Sequence, residues 1–254
     1  MVSLSLEIDP QEVLRLQGYR RPSDIPTPDV LALLHDAMAE ARRVLEPLWI
    51  FQEFPIESVT PEGCRLLDGP TLLIRDLQER WGTIALLGLA ICTVGEALED
   101  RIETLFAKRE FPVAYMLDSL GSVAVEALAE TVLRRVCAER LGMDLKVTAR
   151  ESPGYARWPI EEQRKVFALV PAARIGVVLN PYCIMTPRKS ISFAAGIGPD
   201  AKMGNSHSPC QSCDMRHCTY RRAPRRQVSM PAWTVGIRPL VLDFGQNLGV
   251  PRTP

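Results

Sequence analysis

Hydrophobic positions along the chain change period several times, and each change predicts an element. Val30, Leu33, Leu34, Met38, Ala41 and Leu45 recur at helical steps after Thr27-Pro28-Asp29, so a helix begins there and stops at Pro47. A shorter helix starts at Asp9-Pro10 and runs to about Leu16, and residues 18–28 are proline-rich and irregular. Residues 48–59 mix aromatic and β-branched side chains and predict a strand. Residues 63–74 read as a hairpin turning at Asp68-Gly69-Pro70, and residues 76–81 as a helical turn. Residues 83–93 are almost unbroken apolar, the pattern of a central strand.

Residues 95–108 predict a helix, with Glu96, Glu99 and Asp100 early and Lys108 late, as the helix dipole favours. The longest helical segment spans residues 112–141 and is closed by Gly142. Its middle is rich in small and apolar residues, which implies close packing on several sides. A strand over 146–150, a helix over 160–170, a strand over 175–179, a loop over 180–190 and a strand over 191–197 follow. Irregular alternation with hairpins predicts an α+β fold with a curved, mainly antiparallel sheet flanked by helices. We divide the chain into an N-terminal helical segment (1–60) packing on a main domain (61–198), and an irregular cysteine-containing tail (199–254).

Composition narrows the function classes. The 254 residues carry 30 Lys+Arg against 30 Asp+Glu, so no global field favours nucleic acid or a membrane surface. The apolar run at 84–94 is too short to span a bilayer, and residues 1–10 lack the pattern of a secretory signal. Of seven cysteines, Cys64, Cys92, Cys137 and Cys183 sit on apolar segments and fit reduced core thiols of a cytoplasmic protein.

Candidate chemistry concentrates between Arg150 and Ser192. Pro153-Gly154 is a turn pair that brings Arg150 and Tyr155 together on a loop after a strand. A guanidinium suits a carboxylate, and a phenol offers a flat face with a polar tip. Read locally, this is either a receptor for a small, flat, partly anionic ligand or a plain turn with an exposed arginine and a packed tyrosine. Glu126 and Glu130 lie one turn apart on the long helix. They read either as a solvated stripe paired with Arg134 or as ligand carboxylates, with Glu126 in the less charged surroundings.

Arg150-x-x-Pro153-Gly154-Tyr155-x-x-x-Pro159, followed by Met185-x-Pro187-x-x-Ser190-x-Ser192, resembles the activation domain of cobalamin-dependent methionine synthase. Val125-Glu126-Ala127-Leu128-Ala129-Glu130 stands where that family carries an acidic ligand residue. The resemblance covers about residues 66–198 and is strongest over 121–192. It implies S-adenosylmethionine bound by Glu126, Arg150, Pro153, Gly154 and Tyr155, with Arg150 on the methionine carboxylate and Glu126 on the amine or ribose side. Tyr155 would face the corrin and the reacting methyl. The implied function is reductive methylation of cob(II)alamin held by a partner methionine synthase, with a flavodoxin or ferredoxin as electron donor. No Asp-x-His-x-x-Gly cobalamin-ligand motif is present, so the expectation is a stand-alone reactivation subunit. Residues after Tyr155 depart from the family's histidine-containing run, and the family's early aspartate ligand has no secure match.

Cys210-x-x-Cys213-x-x-x-x-Cys218 has metal-chelate spacing and predicts a metal or iron–sulfur site. His207, His217 or Cys183 could supply a fourth ligand, or the position could stay open. Zinc would make the tail a structural knuckle, and a [4Fe–4S] cluster would make it an electron carrier; a redox disulfide with one spare thiol and a disordered tail are the remaining readings. Arg216, Arg221, Arg222, Arg225 and Arg226 surround the third cysteine. Two rival functions follow: a reductive activator of another corrinoid methyltransferase that uses the cluster, or a non-catalytic, zinc-stabilised binding subunit.

Overall fold

The apolar run around residues 83–93 forms the middle of the sheet and is buried on both faces. The computed structural model describes residues 4–21, 23–155, 157–203 and 238–244. Strand β1 (Leu4–Ile8) precedes helices α1 (Pro10–Leu16) and α2 (Pro28–Val44). The Asp9 carboxylate accepts from the Gln11 N–H at 2.8 Å and caps α1, while the Thr27 hydroxyl accepts from Val30 N–H at 3.4 Å and caps α2. Strands β2 (Leu48–Thr60), β3 (Gly63–Leu66) and β4 (Thr71–Leu72) come next, then α3 (Leu77–Trp81), β5 (Gly82–Thr83) and β6 (Leu86–Thr93). Helices α4 (Ala97–Ala107) and α5 (Phe111–Leu141) lead to β7 (Lys146–Val147). A 3-10 turn (Ile160–Glu162) opens into α6 (Gln163–Leu169). Strands β8 (Val178–Leu179), β9 (Met185–Thr186), β10 (Ser190–Gly198), β11 (Asp200–Ala201) and β12 (Leu240–Phe244) complete the described chain.

Six strands form an antiparallel sheet in the order β4-β3-β2-β6-β10-β7. This is the α+β class that the pattern predicts. In register, Cys92 of β6 lies between Trp49 of β2 and Ile191 of β10, and Ala90 lies between Phe51 and Phe193. Ala90, Cys92, Phe193 and Ala195 face a core built with α1, α2, α4 and α5. Leu87, Leu89, Ile91 and Ala194 face a second core that contains Trp81, Trp158, Val166 and Ile175. With both faces of β6 buried, nothing polar alternates along it, which is why it reads as a continuous apolar run.

Helix α5 is packed by the sheet, by α2 and α4, and by the β1–β12 ribbon. The apolar run at 239–244 therefore returns to the body of the protein and pairs with the chain's first strand. Packing against α4 is close: a Cβ on Gly121 would lie 2.5 Å from Leu98 Cδ2.

Two predicted strands are shorter than the pattern suggests. In place of a strand over 146–150, only Lys146–Val147 pairs regularly with β10, and Glu151 makes a lone bridge to Ala194. The Thr148 hydroxyl accepts from the Gly196 N–H at 2.9 Å, taking a place that a backbone carbonyl would fill in a regular ladder. In place of a strand over 175–179, a 3-10 turn (Ala172–Ile175) ends at Gly176 with φ +71°, leaving only Val178–Leu179 to pair with β9. Asn180 Oδ1 accepts from Tyr182 N–H and Ile184 N–H, both at 2.9 Å, and builds the connecting turn.

Candidate functional site

Arg150 is the centre of the site, and it is buried, only 8% exposed. The exposed arginine of the plain-turn reading is therefore excluded. Strand-like alternation at the Glu151–Ala194 bridge turns Arg150 toward α5 and Glu151 toward α3. The Arg150 guanidinium lies over the Phe193 ring, 5.9 Å from its centroid, and Nη2 donates to Glu126 Oε2 of α5. Glu130 Oε2 stands 4.0 Å from Arg150 Nε, and that Nε makes no hydrogen bond. Burial alone would lower the arginine's pKa; the Glu126 and Glu130 carboxylates outweigh it and hold the pKa above its ordinary value.

The turn is held from the opposite side as well. Glu151 Oε1 accepts from Trp81 Nε1 at 3.1 Å and pairs with Arg80. The Arg157 guanidinium, on the far side of the turn, pairs with Asp76, and Arg75 N–H donates to Arg157 C=O at 3.1 Å. Gly154 has φ +93° and donates its N–H to Trp158 C=O at 2.8 Å, while Trp158 N–H returns to Tyr155 C=O at 2.9 Å. A Cβ at residue 154 would meet Ile160 Cδ1 at 3.1 Å, so both conformation and space call for glycine there. Trp158 is fully buried and fixes the returning chain, whereas Tyr155 is 45% exposed at the tip and Pro153 is buried beside it.

A second loop closes on the same helix face. It contains the cis Thr186–Pro187 peptide, and Ser190 Oγ donates to Pro187 C=O at 2.7 Å. Lys189 Nζ meets Asp118 Oδ1 and Ser122 Oγ of α5, each at 2.8 Å, and its backbone N–H donates to Glu99 Oε1 at 2.8 Å. Ser192 lies on the opposite face of the sheet, with its hydroxyl 3.4 Å from Gln163 Oε1.

Of the residues that the motifs single out, Arg150, Glu126, Pro153, Gly154 and Tyr155 thus fall within one region. Glu126 is paired with Arg150. Arg134, read as a counterion for the acidic stripe, donates instead to Thr131 Oγ1 at 3.1 Å. Sequence reasoning missed Phe193 beneath the guanidinium and the Arg80–Glu151–Trp81 clamp. It also missed the Asp76–Arg157 pair. All three depend on contacts between elements far apart in the chain. Cys64, Cys92, Cys137 and Cys183 carry free thiols and are buried or half-buried, as expected of core positions. Burial pushes the Cys64 and Cys92 thiols up to about 12. Cys210, Cys213 and Cys218 lie outside the described residues, and among the described residues no cluster of His, Cys, Asp and Glu could hold a metal ion.

The six-stranded antiparallel sheet thus supports an Arg150–Glu126 pair beside the Pro153-Gly154-Tyr155 turn. The fold is that of the MetH reactivation domain: the crystal structure of that domain bound to AdoHcy matches with a TM-score of 0.51 and 17% identity, covering 81% of each chain. In sequence, the chain is 27% identical to the methionine synthase of Mycobacterium tuberculosis (strain ATCC 25618 / H37Rv), over 52% of this chain and 13% of that protein. The chain thus spans 13% of the length of the curated relative it matches. No family model matches it. Both comparisons agree with the resemblance carried by the Arg150–Tyr155 and Met185–Ser192 motifs.

Proposed function

We propose that this protein binds S-adenosylmethionine and supports the reductive methylation of cob(II)alamin held by a partner, a methionine synthase or another corrinoid protein. One observation carries the reading most directly. A buried guanidinium with an unpartnered Nε–H lies beside two carboxylates, on the loop that carries the exposed Tyr155. A vacant buried donor is unfavourable without a ligand, and a carboxylate is its natural complement. Likeness to a domain whose crystal structure holds AdoHcy supports the same ligand class.

Arg150 would take the methionine carboxylate through its planar fork, and Glu126, relieved of part of its ion pair, would receive the ammonium or a ribose hydroxyl. The Pro153–Gly154 backbone would line the pocket. Tyr155 would face the corrin. S-adenosylmethionine supplies an already activated methyl group: its methyl–sulfur bond breaks, a methyl–cobalt bond forms, and one electron from a flavodoxin or ferredoxin completes the balance. The protein's work is positioning. Calorimetry with S-adenosylmethionine on anaerobically purified protein tests the reading, first alone and then with a cobalamin-loaded partner. Saturable binding is expected, and absence of binding in both arrangements overturns it.

We further infer from the spacing of Cys210, Cys213 and Cys218 that the tail holds zinc or an iron–sulfur cluster in a cytoplasmic setting. Metal and acid-labile sulfide analysis of the same sample separates the two. Absorption near 400 nm with sulfide makes the tail an electron carrier, stoichiometric zinc without colour makes it a knuckle, and neither removes the site.

A further inference from the structure

We propose that the β8–β9 hairpin is the surface on which the corrinoid partner docks, and that it takes an acidic protein face with an apolar centre; the inference rests on the partner proposed above. The hairpin is a two-stranded sheet of its own, with Val178 paired to Thr186 and Leu179 to Met185. Met185 packs inward against the second core. Strand alternation therefore turns Val178 and Ile184 outward, where both are exposed, and Tyr182 at the tip is 82% exposed. The turn that displays this tyrosine is tied down on either side of it. Arg164 Nη2 of α6 donates to Pro181 C=O at 2.6 Å, and Gln163 Nε2 donates to Cys183 C=O at 3.4 Å. Cys183 itself takes a φ of +60°, a conformation uncommon outside glycine. A partner thus meets a surface that is ordered in advance, which lowers the entropy cost of binding.

Charge selects the occupant. Three exposed arginines belong to this face: Arg164 at the turn, Arg174 four residues before Val178, and Arg188 two residues after Thr186. Residues 163–190 contain five cations and no acid. Lys165 pairs with Glu162 and Lys189 with Asp118, whereas Arg164, Arg174 and Arg188 make no ion pair among the described residues. Glu161 lies one turn before Arg164, and Glu99 reaches the Lys189 N–H; setting both against the three arginines still leaves one positive charge. Tyrosine and arginine beside aliphatic side chains are the chemistry of interface hot spots. A second copy docked through this face would gather the arginines of both copies across a two-fold axis. Residues 204–237 carry five arginines and one aspartate, so they are like-charged as well. A different protein with an acidic surface is what fits. Position points to the corrinoid partner. Exposed Ile160, which a Cβ on residue 154 would meet, lies four residues before Arg164, so the face continues from the Tyr155 turn across the start of α6 to the hairpin.

The test measures binding of cobalamin-loaded methionine synthase to the full chain by calorimetry, at low and high salt. It compares wild type, Tyr182→Ala and the double variant Arg174→Glu/Arg188→Glu. Tyr182→Ala is expected to weaken partner binding about tenfold, ~1.4 kcal/mol, and the double variant at low salt by more. Raising the salt should weaken binding of wild type more than that of the double variant. Urea midpoints, and S-adenosylmethionine affinity measured without the partner, should match wild type, because none of the three residues lies in the Arg150 site. Partner binding that neither variant weakens overturns the inference and spares the proposed function. Weakened partner binding that comes with a lowered urea midpoint is a folding effect and also counts against the inference. A wild-type dimer in sedimentation velocity that Tyr182→Ala dissolves would assign the face to a second copy and overturn it too. If wild-type protein does not bind the partner at all, the partner reading itself fails and the inference falls with it.

Discussion

Replacing Arg150 with alanine is the sharpest test of the site, because its effects on folding and on binding can be worked out separately. For folding, breaking a fully buried ion pair costs about 3–5 kcal/mol. Here the Glu126 side chain is 29% exposed and Glu130 35%, so water reaches both carboxylates once the guanidinium is gone. The expected loss falls to about 1–3 kcal/mol, part of it from the cavity opened over Phe193. For binding, one charge-assisted hydrogen bond to the ligand carboxylate is worth about 1.5–3 kcal/mol, which is roughly 10- to 150-fold in Kd. Urea denaturation measures the first quantity and calorimetry with S-adenosylmethionine the second. Arg150→Lys keeps the charge and loses the fork, so it should recover part of the stability and little of the affinity. A folded Arg150→Ala protein with wild-type affinity would remove Arg150 from the ligand site and leave it a structural tie between α5 and β10.

Four further outcomes follow from the same structure. Tyr155→Phe should leave S-adenosylmethionine affinity unchanged and slow reductive methylation with the corrinoid partner; full activity would end the assigned role. Gly154→Ala places a Cβ on a φ of +93° and 3.1 Å from Ile160, so it should destabilise by about 1–2 kcal/mol in urea and also weaken ligand binding. Glu162 is buried and accepts from Leu73 N–H at 2.8 Å while pairing with Lys165 at 2.7 Å, so Glu162→Ala should cost about 2–3 kcal/mol in urea unfolding without touching the ligand site. The raised thiol pKa values give a pH dependence: folded Cys64 and Cys92 keep their protons to about pH 12, while unfolded thiols lose theirs from about pH 9. Stability from this source is therefore complete below pH 9 and lost as pH rises from 9 toward 12, and urea midpoints of Cys92→Ala should decline less over that window than those of wild type.

Most of the fold is legible in the sequence because its elements signal locally. Asp9-Pro10 and Thr27-Pro28 mark helix starts with their own side chains, and the Asp68-Gly69-Pro70 turn closes a hairpin between neighbours in the chain. β1 is not legible, because its partner β12 comes from the other end of the described chain and a five-residue strand has no turn to announce it. The shortened β7 was hidden for a different reason. Thr148 is an ordinary strand residue by propensity, and only its hydroxyl bond to Gly196 reveals that the ladder stops there. In the site, Glu126 and Glu130 are visible as a pair at helical spacing, but which cation they meet is not. Arg134 is nearer in sequence, and Arg150 prevails because the sheet delivers it to the helix face already desolvated.

The manner of that delivery explains how an exposed turn can hold a buried arginine in a defined place. The turn between Glu151 and Arg157 is tied to the segment around α3 at both ends, through Arg80–Glu151 before it and Asp76–Arg157 after it. Neither pair alone would hold it firmly: Arg157 and Asp76 are 47% and 39% exposed, and such surface pairs contribute little. The strength comes from what lies between and beneath them. Glu151 exchanges backbone hydrogen bonds with Ala194 at 2.9 and 2.7 Å, its carboxylate is shared by Arg80 and the Trp81 indole, and Trp158 anchors the returning chain in the second core. Because adjacent residues of an extended chain point to opposite faces, fixing Glu151 on one side of the sheet fixes Arg150 on the other. The guanidinium is thus set over Phe193 by groups that never touch it. The tip with Tyr155 stays exposed. Breaking the clamp with Glu151→Ala should therefore loosen Arg150 as well, weakening S-adenosylmethionine binding severalfold. Glu151→Gln, which can still accept from the Trp81 indole, should retain most of the affinity. Equal losses from the two variants would show that charge on Glu151, and not its hydrogen bonding, sets the register.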